Sequence, residues 1–164
     1  MATKKGIALT GIILAAITAA SFLVWLIPQN IETKIIISDF EVHLDNIKEI
    51  HSALNNEINV EFQNMLDEKI TAKEYISLAE ISSSQVNSQI IQLVKSKAPE
   101  EWIESYLNYI ESLKTFNSQI RETTIVATMI SEDKTNDVPN VIEKIDSFKK
   151  NSEILAMASD QSRP

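Results

Sequence analysis

The sequence predicts an all-α protein: a single N-terminal transmembrane helix followed by an antiparallel up-down-up-down four-helix bundle with coiled-coil-like packing. Three observations predict it. Gly6 to Ile27 is a run of 22 residues with no charged or amide side chain. As a helix it reaches about 33 Å, enough to cross a hydrocarbon core of about 30 Å. Beyond it, apolar residues recur by threes and fours over long stretches, the period of helices with one buried face. Both glycines, Gly6 and Gly11, lie inside the apolar run, so the rest of the chain lacks the residue that tight hairpins favour.

Residues 1–5 read as a short cytoplasmic N-terminus and residues 6–28 as the anchor. Lys4 and Lys5 stand before the span, while only Lys34 follows within the first 15 residues beyond it, beside Glu32, Asp39 and Glu41. That bias sets the N-terminus in the cytoplasm and the main domain outside. A cleaved signal peptide is the main alternative. Its best cleavage site, Thr18-Ala19-Ala20, is followed by Phe-Leu-Val-Trp-Leu-Ile where a polar mature start belongs. Gly11, Ala15 and Ala19 recur every four residues. They form a small-residue stripe on which two membrane helices can pack, although alanine is also simply common in such spans.

Residues 29–37 read as a juxtamembrane stalk and residues 38–159 as the bundle, with helices over 31–68, 72–97, 99–130 and 139–158 and a frayed end at 160–164. The first helix has a seam of Ile37, Phe40, Leu44, Ile47, His51, Leu54 and Ile58, which then shifts to Phe62 and Met65. Thr71 and Glu74 form a capping box, with Ile70 and Tyr75 placed as a hydrophobic staple. The second seam reads Ile76, Ala79, Ser83, Val86, Ile90 and Leu93. Pro99, with Glu100 and Glu101 at the positive end of the dipole, opens the third helix. Its stripe is Trp102, Tyr106, Tyr109, Leu113, Phe116 and Ile120, with Ile103, Leu107 and Ile110 broadening it. Residues 131–137 form a polar loop, and Pro139 starts a fourth helix carrying Val141, Ile145, Phe148 and Leu155.

Short connections favour antiparallel neighbours. Reflection through the turns sets Met65, Ile76, Ile120 and Phe148 in one distal layer, and His51, Val86 and Ile110 in another where the fourth helix ends. Phe148→Ala is then expected to cost about 3–5 kcal/mol if its layer is fully buried. Asn117 interrupts the third seam; reflection sets it opposite Ser152 and Ala79, and it reads as one polar layer that fixes register.

Composition excludes several functions. There are no cysteines, hence no disulfide framework, thiolate nucleophile or Cys-ligated metal. Without glycine beyond Gly11 there is no phosphate-cradling loop. Setting aside Lys4 and Lys5 leaves 13 basic against 23 acidic residues, a surface that repels nucleic acid. The two histidines, His43 and His51, are eight residues apart, too far for an i, i+4 metal pair. His51 falls on the apolar seam and reads as a partly buried histidine rather than a ligand. Glu57 with Glu61 reads as a solvated acidic face, and no Ser/His/Asp constellation surrounds Ser82-Ser83-Ser84. No catalytic, cofactor or metal residue is expected, and the chain does not read as an enzyme.

The N-terminal stretch MATKKGIALTGIILAAITAASFLVWLIPQN, with the Ile/Ser/Asn/Glu-rich domain behind it, resembles small membrane-anchored helical proteins of ammonia-oxidising archaea. The resemblance implies an archaeal cell-envelope protein and carries no activity with it.

Two functions are weighed. One is a tethered interaction, accessory or scaffold subunit that contacts the bilayer through residues 6–27 and pairs with a second copy or another membrane protein. Its expected contact surface is Ile35, Ile36 and Ile37 with Trp102, Tyr106 and Tyr109, where the fourth helix no longer covers the third; the alternative is that this surface is the core of a three-helix section, with the stalk dipping into the lipid interface. The other is an extracytoplasmic sensor or ligand-binding bundle, which would signal through a separate protein.

Overall fold

Two of the helices begin where a side chain supplies a partner for their first N–H groups, and two where a proline stands at the helix start. The structure, a computed structural model, describes residue 37 and residues 39–164. Helix α1 spans Phe40–Leu66, α2 Ala72–Lys95, α3 Glu100–Ser131 and α4 Val138–Gln161, the last entered through a 3-10 turn at Thr135–Asp137. Asp39 caps α1, its carboxylate accepting from Val42 N at 3.0 Å. The described helix starts at Phe40, after this extended cap residue (φ −143°), and residues 31–36 and 38 of the expected first helix lie outside the described residues. The Thr71–Glu74 capping box forms in both directions, at 3.2 and 2.8 Å. Pro99 and Pro139 open α3 and α4 as their fixed φ allows.

The connections have no glycine, so side chains with a Cβ take the left-handed positions. Glu68, Lys97 and Asp133 sit at φ 58°, 52° and 55°, each at a cost of about 1–2 kcal/mol.

Cross-helix hydrogen bonds set the directions. Ser105 meets Ser159 and Ser112 meets Ser152, so α3 and α4 are antiparallel. Tyr75 bonds Thr123 and Ser83 bonds Asn117, so α2 and α3 are antiparallel too. His43 pairs with Tyr106 and His51 with Tyr109, numbers rising together, so α1 and α3 run parallel as diagonal partners. The four helices are an up-down-up-down bundle with α3 at its centre.

α3 and α4 pack most extensively. The four serines of that seam recur every seven residues and are at most 5 % exposed, and their small side chains let the backbones close up. α1 and α4 share almost no close backbone approach, which leaves a cleft between them.

Several expectations are corrected. The inward row of α2 is Tyr75, Ala79, Ser82, Val86, Gln89 and Leu93, not Ile76, Ser83 and Ile90 at its alternate positions. Tyr75 goes inward because its hydroxyl donates to Thr123 at 2.6 Å, and Ile76 and Ile90 are left half-buried. Phe148 and Ile76 of the expected distal layer are only half-buried, while Met65 and Ile120 are buried. Asn117 does fall in a polar layer, yet its partners are Ser83 and Asn87 of α2. The segment 160–164 is tied down. Asp160 pairs with Lys48, Arg163 reaches Asp45 at 2.5 Å, and Asn108 donates to Ser162. α4 therefore covers α3 as far as Ser105.

The anchor read at residues 6–28, its stripe Gly11, Ala15 and Ala19, and the stalk residues Ile35 and Ile36 lie outside the described residues. Among the described residues no helix is long and apolar enough to cross a membrane.

Candidate functional site

The aromatic residues that open α3 face inward. Tyr106 and Tyr109 are each 2 % exposed. The Tyr106 hydroxyl donates to Phe40 O at 2.9 Å and lies 3.0 Å from His43 Nδ1. The Tyr109 hydroxyl lies 2.8 Å from His51 Nδ1. Burial, with the charge of Asp39 behind it, pushes the Tyr106 phenol up to about 12, and burial near Asp160 pushes Tyr109 up further still. Docking roles for Tyr106 and Tyr109 are thus corrected, because the longer α4 and the α1 histidines enclose both rings. Trp102 packs edge-on against Tyr106 with centroids 6.2 Å apart and is partly buried against the core. Ile37 is half-buried. None of these forms an open aromatic surface.

Two other features are open. The first is the cleft between α1 and α4, about 220 Å³ in volume. His51, Tyr109, Gln119 and Ser152, all polar and all under 10 % exposed, form its floor. His51 is held neutral, its pKa lowered to about 4 by burial. Lys48, whose ammonium lies 5.2 Å from the centre of the Tyr109 ring, bridges the mouth to Asp160. Lys149 and Glu153 stand on the α4 wall, and neither joins an ion pair among the described residues.

The second is an apolar row on the outer α2–α3 seam. Asn117 of α3 contacts Ser83 and Asn87 of α2 across this seam. Continued by the same spacing, the row carries Ile90 and Val94 on α2 and Ile110, Leu107 and Ile103 on α3. Val94 is 62 % exposed, Leu107 55 % and Ile103 44 %, with Ile91 beside them at 51 %. This row lies at the end of the bundle where α1 begins.

Sequence reasoning missed Gln89, Gln119, Lys149 and Glu153. Gln89 is 2 % exposed, and neither amide atom has a partner among the described residues. It lies two heptads after Tyr75, and Tyr109 lies two heptads before Thr123, so Gln89 sits at the level of the His51–Tyr109 pair. The strict seven-residue recurrence of Tyr75, Ser82 and Gln89 was the signal that could have found it. Among the described residues no group of three or more His, Cys, Asp or Glu side chains is placed to hold a metal ion. No protein-family model, curated protein or solved structure matches the chain.

Proposed function

We propose that this protein is a single-pass membrane-anchored helical bundle that works as a non-catalytic interaction, accessory or scaffold subunit at the cell envelope. The reading places residues 6–28 in the bilayer, the N-terminus in the cytoplasm and the bundle outside. It rests on the uncharged run, on Lys4 and Lys5 before it, and on the resemblance to envelope proteins of ammonia-oxidising archaea. The observation that carries the interaction role is the exposed apolar row Ile91, Val94, Ile103 and Leu107. Contiguous apolar surface of this kind marks protein contacts. A second copy or another membrane protein is its partner.

The test is chemical crosslinking in native membranes, with Val94→Ser and Leu107→Ser combined. Both side chains are more than half exposed, so the pair should cost the bundle no more than about 1 kcal/mol. A defined adduct in the wild type that disappears in the double variant is the expected result. An adduct of undiminished yield in the variant would remove the row from the interface.

A second reading is favoured by one observation, the polar-floored cleft between α1 and α4. Pockets that converge buried polar groups on an opening are where ligands bind. On that reading the bundle is an extracytoplasmic sensor or ligand-binding module that acts through a separate protein.

A further inference from the structure

A bundle that only needed a core would fill the level of His51 and Tyr109 with aliphatic side chains. Instead His51, Tyr109 and Gln119 meet at the floor of the α1–α4 cleft, and the orphaned amide of Gln89 lies at the same level. The cleft persists because long charged side chains, Lys48 with Asp160 and Arg163 with Asp45, span the seam where the backbones do not close. Lys48 and Asp160 neutralise one another at the mouth. Lys149 and Glu153 do not: they stand one helical turn apart on the same wall, with no ion-pair partner among the described residues. Positions i and i+4 set their Cβ atoms about 5–6 Å apart, so one cation and one anion face the same small volume. His51 uses Nδ1 on the Tyr109 hydroxyl, and its other ring nitrogen has no hydrogen-bond partner among the described residues.

We propose that this cleft binds a small zwitterion of the amino-acid type. Its carboxylate lies on Lys149 and the free ring nitrogen of His51, and its ammonium on Glu153. The volume of about 220 Å³ suits a small amino acid. The proposal rests on the ligand-binding reading and is independent of the apolar row, which lies on α2 and α3.

Purified full-length protein is titrated while the His51 ring resonances are followed by NMR. The probes are L-serine and glycine as zwitterions, and acetate and methylammonium as their separate charged halves. Saturable shifts with a zwitterion, at a dissociation constant of about 1 mM or tighter, are expected, with none from either half at the same concentrations. Lys149→Ala and Glu153→Ala should each weaken that binding at least about tenfold, and both are surface changes that leave the core intact. Acetate binding as tightly as glycine would overturn the zwitterion and leave a ligand cleft standing. Shifts unaffected by either substitution would place the binding elsewhere and overturn the assignment. No saturable shift from any probe would overturn the zwitterion and remove support for the ligand-binding reading as well.

Discussion

Phe116→Ala is expected to lower the unfolding free energy by about 3–5 kcal/mol, the range for truncating a fully buried aromatic. Phe116 is 1 % exposed at the centre of α3, the helix that touches all three others, and its ring centroid is 4.7 Å from that of His51. The neighbours are held by cross-helix hydrogen bonds on both sides, so they have little room to collapse into the space left behind. Phe148→Ala is the internal comparison. With Phe148 half-buried on α4, its loss should be clearly smaller. Denaturant unfolding of both variants checks this. Equal losses would mean that the buried row of α4 is misplaced.

Stability should also fall as the pH drops from about 6.5 to about 4, by about 3 kcal/mol from His51 alone. The sign follows from burial. The folded-state pKa of His51 is lowered from 6.5 to about 4, so between those values the unfolded chain takes up a proton that the folded chain refuses. Above 6.5 both states are neutral and the contribution is flat. Proton uptake by the unfolded state favours unfolding, so stability declines through that window. Below it the carboxylates take over, since Asp160 and Asp67 are held under the ordinary range, Asp160 by Lys48 and Arg163 and Asp67 by Lys69 and Gln63. His51→Gln keeps a hydrogen-bonding group against Tyr109 and removes the titration. Its unfolding free energy should fall less steeply from pH 6.5 to 4.5, the remaining slope coming from His43, whose pKa burial also lowers, and an undiminished wild-type slope in that variant would assign the effect to another group.

The four helices were legible because their signals are local. Thr71 and Glu74, Pro99 and Pro139 act within a turn of themselves, and aliphatic periodicity persists over whole helices. The choice of inward row on α2 was not legible, because hydropathy favours Ile76 and Ile90 over Tyr75 and Gln89. What turns Tyr75 inward is Thr123, 48 residues away. The segment 160–164 was misread for the same reason. Its order comes from Lys48 and Asp45, 112 and 118 residues distant from Asp160 and Arg163. That error propagated to Tyr106 and Tyr109, whose exposure depended on where α4 stops. The cleft had no sequence signal at all. It arises from a seam left open when serines draw α4 toward α3, which is a property of four helices together.

The claim that the bundle stands at the outer face of a membrane is tested most directly by topology. The chain has no cysteine, so Ser131→Cys supplies a single reporter, exposed at the far end of α3 from the start of α1. Intact cells are treated with a membrane-impermeant thiol reagent, then lysed and treated again. Labelling of Cys-substituted position 131 before lysis, on a chain that remains with the membrane fraction, is the predicted result. Labelling only after lysis, or release of the chain from membranes, would contradict it.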